Sequence, residues 1–183
     1  MREEHRIAVA APVAGDEVRG PRRCGASMAW VAITPRDDGA VTEVVEAVRA
    51  ANSAFYAAFE ARDLDAMAEV WERSERASVT HPGWPRLSGW GRVAGSWDAI
   101  FRHTPYIQFV LTDERIDVVG DTAWVTVDEN ILQSAGAPEG DPGGEAPLAG
   151  ARVAATNVFV RDGRDWRLVV HHGSPVGATD DES

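Results

Sequence analysis

The chain of 183 residues reads as one α+β domain with flanking segments. Three observations predict this class. Helical hydrophobic periodicity is confined to residues 41–104, alternating patterns dominate residues 107–176, and Gly/Pro-rich stretches set both apart from what precedes and interrupts them. A hydrophobic fraction of 44% supplies a core, and 26% charged residues are ordinary for a globular chain.

The elements follow in order. Residues 1–38 show no sustained period and are punctuated by Gly15, Gly20, Pro21, Gly25 and Pro35, which predicts a disordered N-terminal arm. From Val41, the residues Val44, Val45, Val48, Phe55 and Phe59 share one helical face, with Thr42 as a potential cap, and this helix runs to Ala61. Asp63 caps a second helix that turns Leu64, Met67, Val70 and Trp71 inward. Residues 77–81 form a short strand ended by Pro82-Gly83. A third helix starts near Trp90 with the stripe Val93, Trp97, Ile100 and Phe101, and Pro105 stops it. Four strands follow over 107–119, 122–133, 152–161 and 166–172, with turns at Gly120-Asp121 and Asp162-Gly163. Residues 134–150 read as a tolerated long connection or a lid, and residues 177–183 as a tail.

Composition narrows the function. A net charge of −11 argues against nucleic acid or an anionic membrane as partner. All 18 basic residues are Arg, a bias that fits a GC-rich bacterial genome. The lone Cys24 allows neither an internal disulfide nor a cysteine-based zinc site. No run approaches the roughly 20 apolar residues of a membrane span, and no signal peptide is evident, so a cytoplasmic protein is expected. Neither a G-x-G-x-x-G nor a Walker loop nor a G-x-S-x-G occurs, and no cofactor is expected. His81 and His172 with Asp98 or Asp128 would be suitable metal ligands, but no close-spaced ligand motif is present and no metal is expected.

The segment Phe55-Tyr56-Ala57-Ala58-Phe59-Glu60-Ala61-Arg62-Asp63-Leu64-Asp65 resembles the opening of SnoaL-like and ketosteroid-isomerase-like proteins. So do Gly89 to Phe101, with Trp97, and the ending Trp166 to Pro175. The resemblance covers residues 41–176. It implies the nuclear transport factor 2-like (cystatin-like) fold, a cone-shaped curved antiparallel sheet packed on three N-terminal helices, with an internal pocket and a homodimer. It does not imply one reaction. Ketosteroid isomerases use an Asp base with a Tyr and a protonated Asp. Placed by the resemblance, those positions fall on His81, Phe55 and near Thr156, so the usual apparatus is absent.

His81, at a strand end before Pro82-Gly83-Trp84, is the candidate base, because an imidazole exchanges protons near neutral pH. His171 and His172 are adjacent on a strand and point to opposite faces; the Trp166-Leu168-Val170 face is taken as inward, which puts the candidate catalytic His172 near the pocket. Phe55, Tyr56, Phe59, Trp84, Trp97, Phe101, Tyr106, Trp124 and Thr156 are the candidate ligand-binding residues, with Trp84 closing the mouth over a flat apolar compound. Asp113-Glu114 and Asp128-Glu129 read as solvated strand positions. The expected function is binding of a small apolar, carbonyl-bearing ligand, with proton transfer (isomerase or lyase) if the protein is an enzyme. The alternative is a non-catalytic dimerisation or association module whose pocket is filled by its own side chains.

Overall fold

The helix α1 spans Asp38–Ala61, starting before Thr42, so Thr42 lies inside it rather than capping it. In this computed structural model the described residues are 38–134 and 148–177. The expectations for residues 1–37, for 135–147 and for the tail beyond 177 lie outside them.

α1 turns Val44, Val48, Asn52, Phe55, Tyr56 and Phe59 inward, a spacing of three and four residues that keeps them on one stripe. Its end is a Schellman motif: Arg62 N–H bonds Phe59 carbonyl and Asp63 N–H bonds Ala58 carbonyl, with Arg62 at φ 54°. Asp63 then accepts from the amides of Asp65 and Ala66 and caps α2, Leu64–Val70, as its position predicted. α3, Trp90–His103, ends ahead of Pro105.

Six strands form one curved sheet: β1 Ser78–Thr80, β2 Leu87–Ser88, β3 Tyr106–Val119, β4 Thr122–Ser134, β5 Leu148–Asp162 and β6 Asp165–Pro175. Their order is β2-β1-β6-β5-β4-β3. Three successive hairpin connections bring β6 back beside β1, and that one pair is parallel, so the sheet is mixed rather than wholly antiparallel. β2 is an additional short strand that the sequence pattern did not announce.

Two β-bulges decide which residues face the helices. Between Thr112 and Arg115, β3 holds an extra residue, with Asp113 at φ 55°. The inward phase therefore passes from Phe109 and Leu111 to Glu114, Ile116 and Val118. In β6, Val170 pairs with Val158 of β5 but Leu168 with Phe159, which leaves Val169 extra. Trp166 and Leu168 face the core before the bulge; His171 and Gly173 do so after it. A one-residue change of phase sends each following side chain to the other face.

The core centres on Phe55, which is fully buried. Its ring meets Tyr56, Phe59, Trp71 and Trp97 edge-on, with centroids 4.9, 6.3, 6.5 and 5.6 Å away.

Candidate functional site

His81 follows directly on β1 and opens a four-residue turn. The amide of Trp84 bonds the His81 carbonyl, Pro82 supplies the second position, and Gly83 at φ 78° supplies the third, the pattern of a type II turn. The turn folds Trp84 back so that its ring stands edge-on to His81 at 5.1 Å, while Trp97 backs the imidazole at 4.6 Å. Gly173 makes the close approach possible, since a Cβ there would meet Val153 at 3.0 Å and Pro82 at 3.3 Å.

Beneath this turn lies a cavity of about 340 Å³, within the range of small-molecule sites. Phe59, Pro82, Trp84, Ile100, Ile107, Ile131 and Val153 make its apolar wall; His81, His171, Glu129, Gln133 and Arg152 are polar groups on it. Trp84 and Arg152 are exposed at its rim.

The polar groups form a connected set. Tyr56 hydroxyl donates to Glu129 Oε1 at 2.7 Å. Asn157 Nδ2 lies 3.3 Å from the Tyr56 oxygen and donates to Asn52 Oδ1 at 2.8 Å, and Asn157 Oδ1 lies 2.6 Å from His171 Nδ1. Asn52 Nδ2 donates to Glu114, which also takes Arg49 Nε at 3.0 Å. Separately, the Ser96 hydroxyl donates to the Val93 carbonyl at 2.7 Å, so at 2.9 Å it can only accept from His81 Nε2. His81 Nδ1 is then the unprotonated nitrogen.

Burial sets the ionisation of this set. It lowers His81 to about 4 and His171 to about 3, the neighbouring histidines adding to the latter, so both rings are neutral at pH 7. It pushes Glu129 up to about 7, against the opposing pull of the Tyr56 hydrogen bond. The Tyr56 phenol is raised far out of the physiological range by burial and by Glu129. Glu129 is therefore divided between acid and base forms at neutral pH, where a proton-transfer group works best. Tyr56→Phe removes the donor that favours the carboxylate, so the Glu129 midpoint should rise above about 7 in a carbon-13 NMR titration. No change or a fall would mean that the phenol does not support this charge.

Of the sequence-predicted residues, His81, Phe59 and Trp84 line the cavity, and Tyr56 reaches it through Glu129. Phe55 and Trp97 are fully buried core behind it, and Phe101 packs on Phe59 and Trp97 rather than on the cavity. Four residues lie elsewhere than the sequence placed them. His172 is exposed on the outer face of the sheet and bonds Ser174, because the bulge at Val169 turns His171 inward instead. Thr156 pairs with His172 on that outer face, and its neighbour Asn157 is the inward residue. Trp124 lies half-buried on the same outer face, in the phase opposite to Ala123, Val125 and Val127. Tyr106 is 43% exposed and bonds Gln108, not the cavity. His81 and His172 thus sit on opposite faces and cannot share an ion.

Glu129, Asn52, Asn157 and His171 are the residues that the sequence pattern passed over. Glu129 is only 4% exposed, not solvated. It continues the buried phase of Ala123, Val125 and Val127; Asn157 continues that of Val153 and Ala155; Asn52 stands four residues after Val48 on the buried stripe of α1. A polar residue at a position the pattern reserves for an apolar one was the available signal.

The comparisons agree with this architecture. A family model described as SnoaL-like domain matches residues 48–178. A crystal structure from Streptomyces avermitilis, provisionally described as a dehydratase of the nuclear transport factor 2-like family, is 44% identical. It superposes with a TM-score of 0.69 over 75% of this chain and 99% of that one. A Thiobacillus denitrificans structure is 33% identical, with a TM-score of 0.58 over 70% of this chain and 94% of that one. It is provisionally described as a calcium/calmodulin-dependent protein kinase type II association domain. F-box protein SKIP8 of Arabidopsis thaliana is 29% identical over 128 residues, 70% of this chain and 49% of the relative, so the chain spans about half the length of that curated relative. Fold, cavity and matches converge: the chain belongs to the SnoaL-like family of the nuclear transport factor 2-like superfamily.

Proposed function

We propose that the cavity binds a small apolar, carbonyl-bearing compound and transfers a proton on it, as an isomerase or a lyase. The observation that carries this reading is Glu129, a buried carboxyl divided between its two forms at neutral pH, facing an apolar cavity beside two neutral histidines. The Glu129 carboxylate takes a proton from the carbon next to the carbonyl. The acid so formed returns it, either to another carbon of the same compound or to a departing hydroxyl that leaves as water. His81 Nδ1 accepts from a ligand hydroxyl, and Gln133 and Arg152 supply donors to the carbonyl oxygen, whose negative charge grows as the proton leaves. Trp84 closes over the flat face of the ligand. The provisional description of the 44% identical relative as a dehydratase favours the lyase branch.

The association-module reading draws on the Thiobacillus denitrificans relative and requires a filled pocket. The open cavity speaks against it. Pairing of two copies is compatible with either reading, and half-buried Trp124, Val158 and Val170 on the outer sheet face would serve it. Among the described residues no helix is long and apolar enough to cross a membrane.

A thermal-shift screen of the full chain against flat apolar carbonyl compounds at several pH values tests the proposal. A ligand at a hundred times its Kd adds about 2.7 kcal/mol of stability. His81→Ala should keep the fold and lower turnover of a hit that carries the hydroxyl, by less than the loss of Glu129 does. A blank screen with a stable dimer in solution would transfer the assignment to the association module.

A further inference from the structure

A chain of hydrogen bonds runs from the surface of α1 to the cavity, and its direction is dictated from its ends. Glu114, as a carboxylate, can only accept. It takes Arg49 Nε on Oε2 and Asn52 Nδ2 on Oε1. With its amide nitrogen committed to Glu114, Asn52 presents Oδ1 to its other neighbour, and that oxygen can only accept. Asn157 must therefore donate from Nδ2 across the 2.8 Å contact, which leaves its Oδ1 against His171 Nδ1 at 2.6 Å. An amide oxygen cannot donate, so His171 carries its proton on Nδ1. A second, longer contact points the same way: Tyr56 gives its proton to Glu129 and can only accept from Asn157 Nδ2 at 3.3 Å.

We propose that Glu114 is a positioning residue that acts through the side-chain amides of Asn52 and Asn157 to hold His171 as the Nδ1–H tautomer, leaving Nε2 as an acceptor for a ligand. Glu114 does not line the cavity, and its hydrogen bonds go to Arg49 and Asn52. Its charge nevertheless decides which imidazole nitrogen keeps a lone pair, because Asn52 and Asn157 are both fully buried and an amide turned the wrong way would face a like group in a low-dielectric interior. The inference concerns the unliganded protein and does not depend on the reaction proposed above.

Glu114→Gln is the discriminating change. Arg49 has only donors and takes the Gln oxygen, which turns the Gln nitrogen toward Asn52. Asn52 then has to accept there, both amides reverse, and His171 Nδ1 becomes the acceptor. The test is a long-range proton–nitrogen correlation spectrum of the full chain labelled with nitrogen-15 histidine at pH 7, with the His171 signals assigned by their loss in His171→Gln. The wild-type protein should show Nδ1 protonated and Nε2 bare. In Glu114→Gln the Nε2–H form should appear, and in Glu114→Gln combined with Tyr56→Phe, which removes the second contact, it should predominate. If the Gln substitution prevents folding, Asn52→Leu with Tyr56→Phe severs the same link and should likewise let the Nε2–H form appear. Nε2–H in the wild-type protein, or Nδ1–H alone in the combined variants, would overturn the inference. A Glu114 that merely fastened α1 to β3 would lower stability on substitution without moving the tautomer.

Discussion

Phe55→Ala is expected to destabilise the domain by about 3–5 kcal/mol. The ring is fully buried and stands at the junction of α1, α2 and α3 through Tyr56, Trp71 and Trp97. Its centroid is also 5.0 Å from the His171 ring. Truncation leaves a void among rigid aromatic rings that have little freedom to close over it, so the cost lies above simple transfer of a benzyl group. Denaturant unfolding should show a lower midpoint at an unchanged slope. A loss below about 1 kcal/mol would mean that the surrounding rings collapse into the space. The same substitution removes the wall behind Tyr56 and His171, so ligand binding should weaken even where the variant remains folded.

Glu129→Gln is the second large effect, expected to lower proton-transfer turnover by about 10²–10⁴-fold. Gln keeps the shape and can still accept the Tyr56 hydroxyl, but it can neither take nor give a proton. The wild-type rate should rise with pH through a midpoint near 7 in the free protein, and that limb should vanish in the variant. Stability gives an independent reading. Glu129 titrates at about 7 when folded, above its ordinary value of 4.5. Between those values the unfolded chain has lost the proton while the folded one retains it. The contribution of Glu129 is therefore present in full below about pH 4.5 and is lost as pH rises through about 7. Glu129→Gln should flatten that part of the stability profile, and an unaltered profile would mean that Glu129 titrates at its ordinary value.

The helices were legible in the sequence because each carries its own period and punctuation: the stripe of α1, the Asp63 cap, the Pro105 stop. The hairpins were legible from Gly120-Asp121 and Asp162-Gly163. The site was legible only where a turn announced it, at His81-Pro82-Gly83-Trp84, whose Pro and Gly positions specify the fold-back that covers the cavity. What was not legible turns on two bulges. Alternation carried unbroken along β6 puts His172 inside; the extra residue at Val169 puts His171 there. Nothing in the local residue types marks that bulge, since Leu168, Val169 and Val170 suit either phase. Glu129 and Asn157 failed differently, because a polar residue on a strand reads as solvated unless its partners are known. Those partners, Tyr56 and Asn52, lie 73 and 105 residues away on α1. The parallel β1–β6 pair is likewise a product of topology, not of either strand's sequence.

The central claim is that this cavity moves a proton on a bound carbonyl compound through Glu129. Deuterium exchange tests it most directly. A panel of flat cyclic ketones is incubated with the full chain in deuterium oxide, and label at the carbon beside the carbonyl is followed by NMR. The account predicts incorporation with the wild-type protein, with a rate that rises through neutral pH, and its loss in Glu129→Gln. Binding of a ketone without incorporation, or incorporation undiminished in the variant, would contradict it.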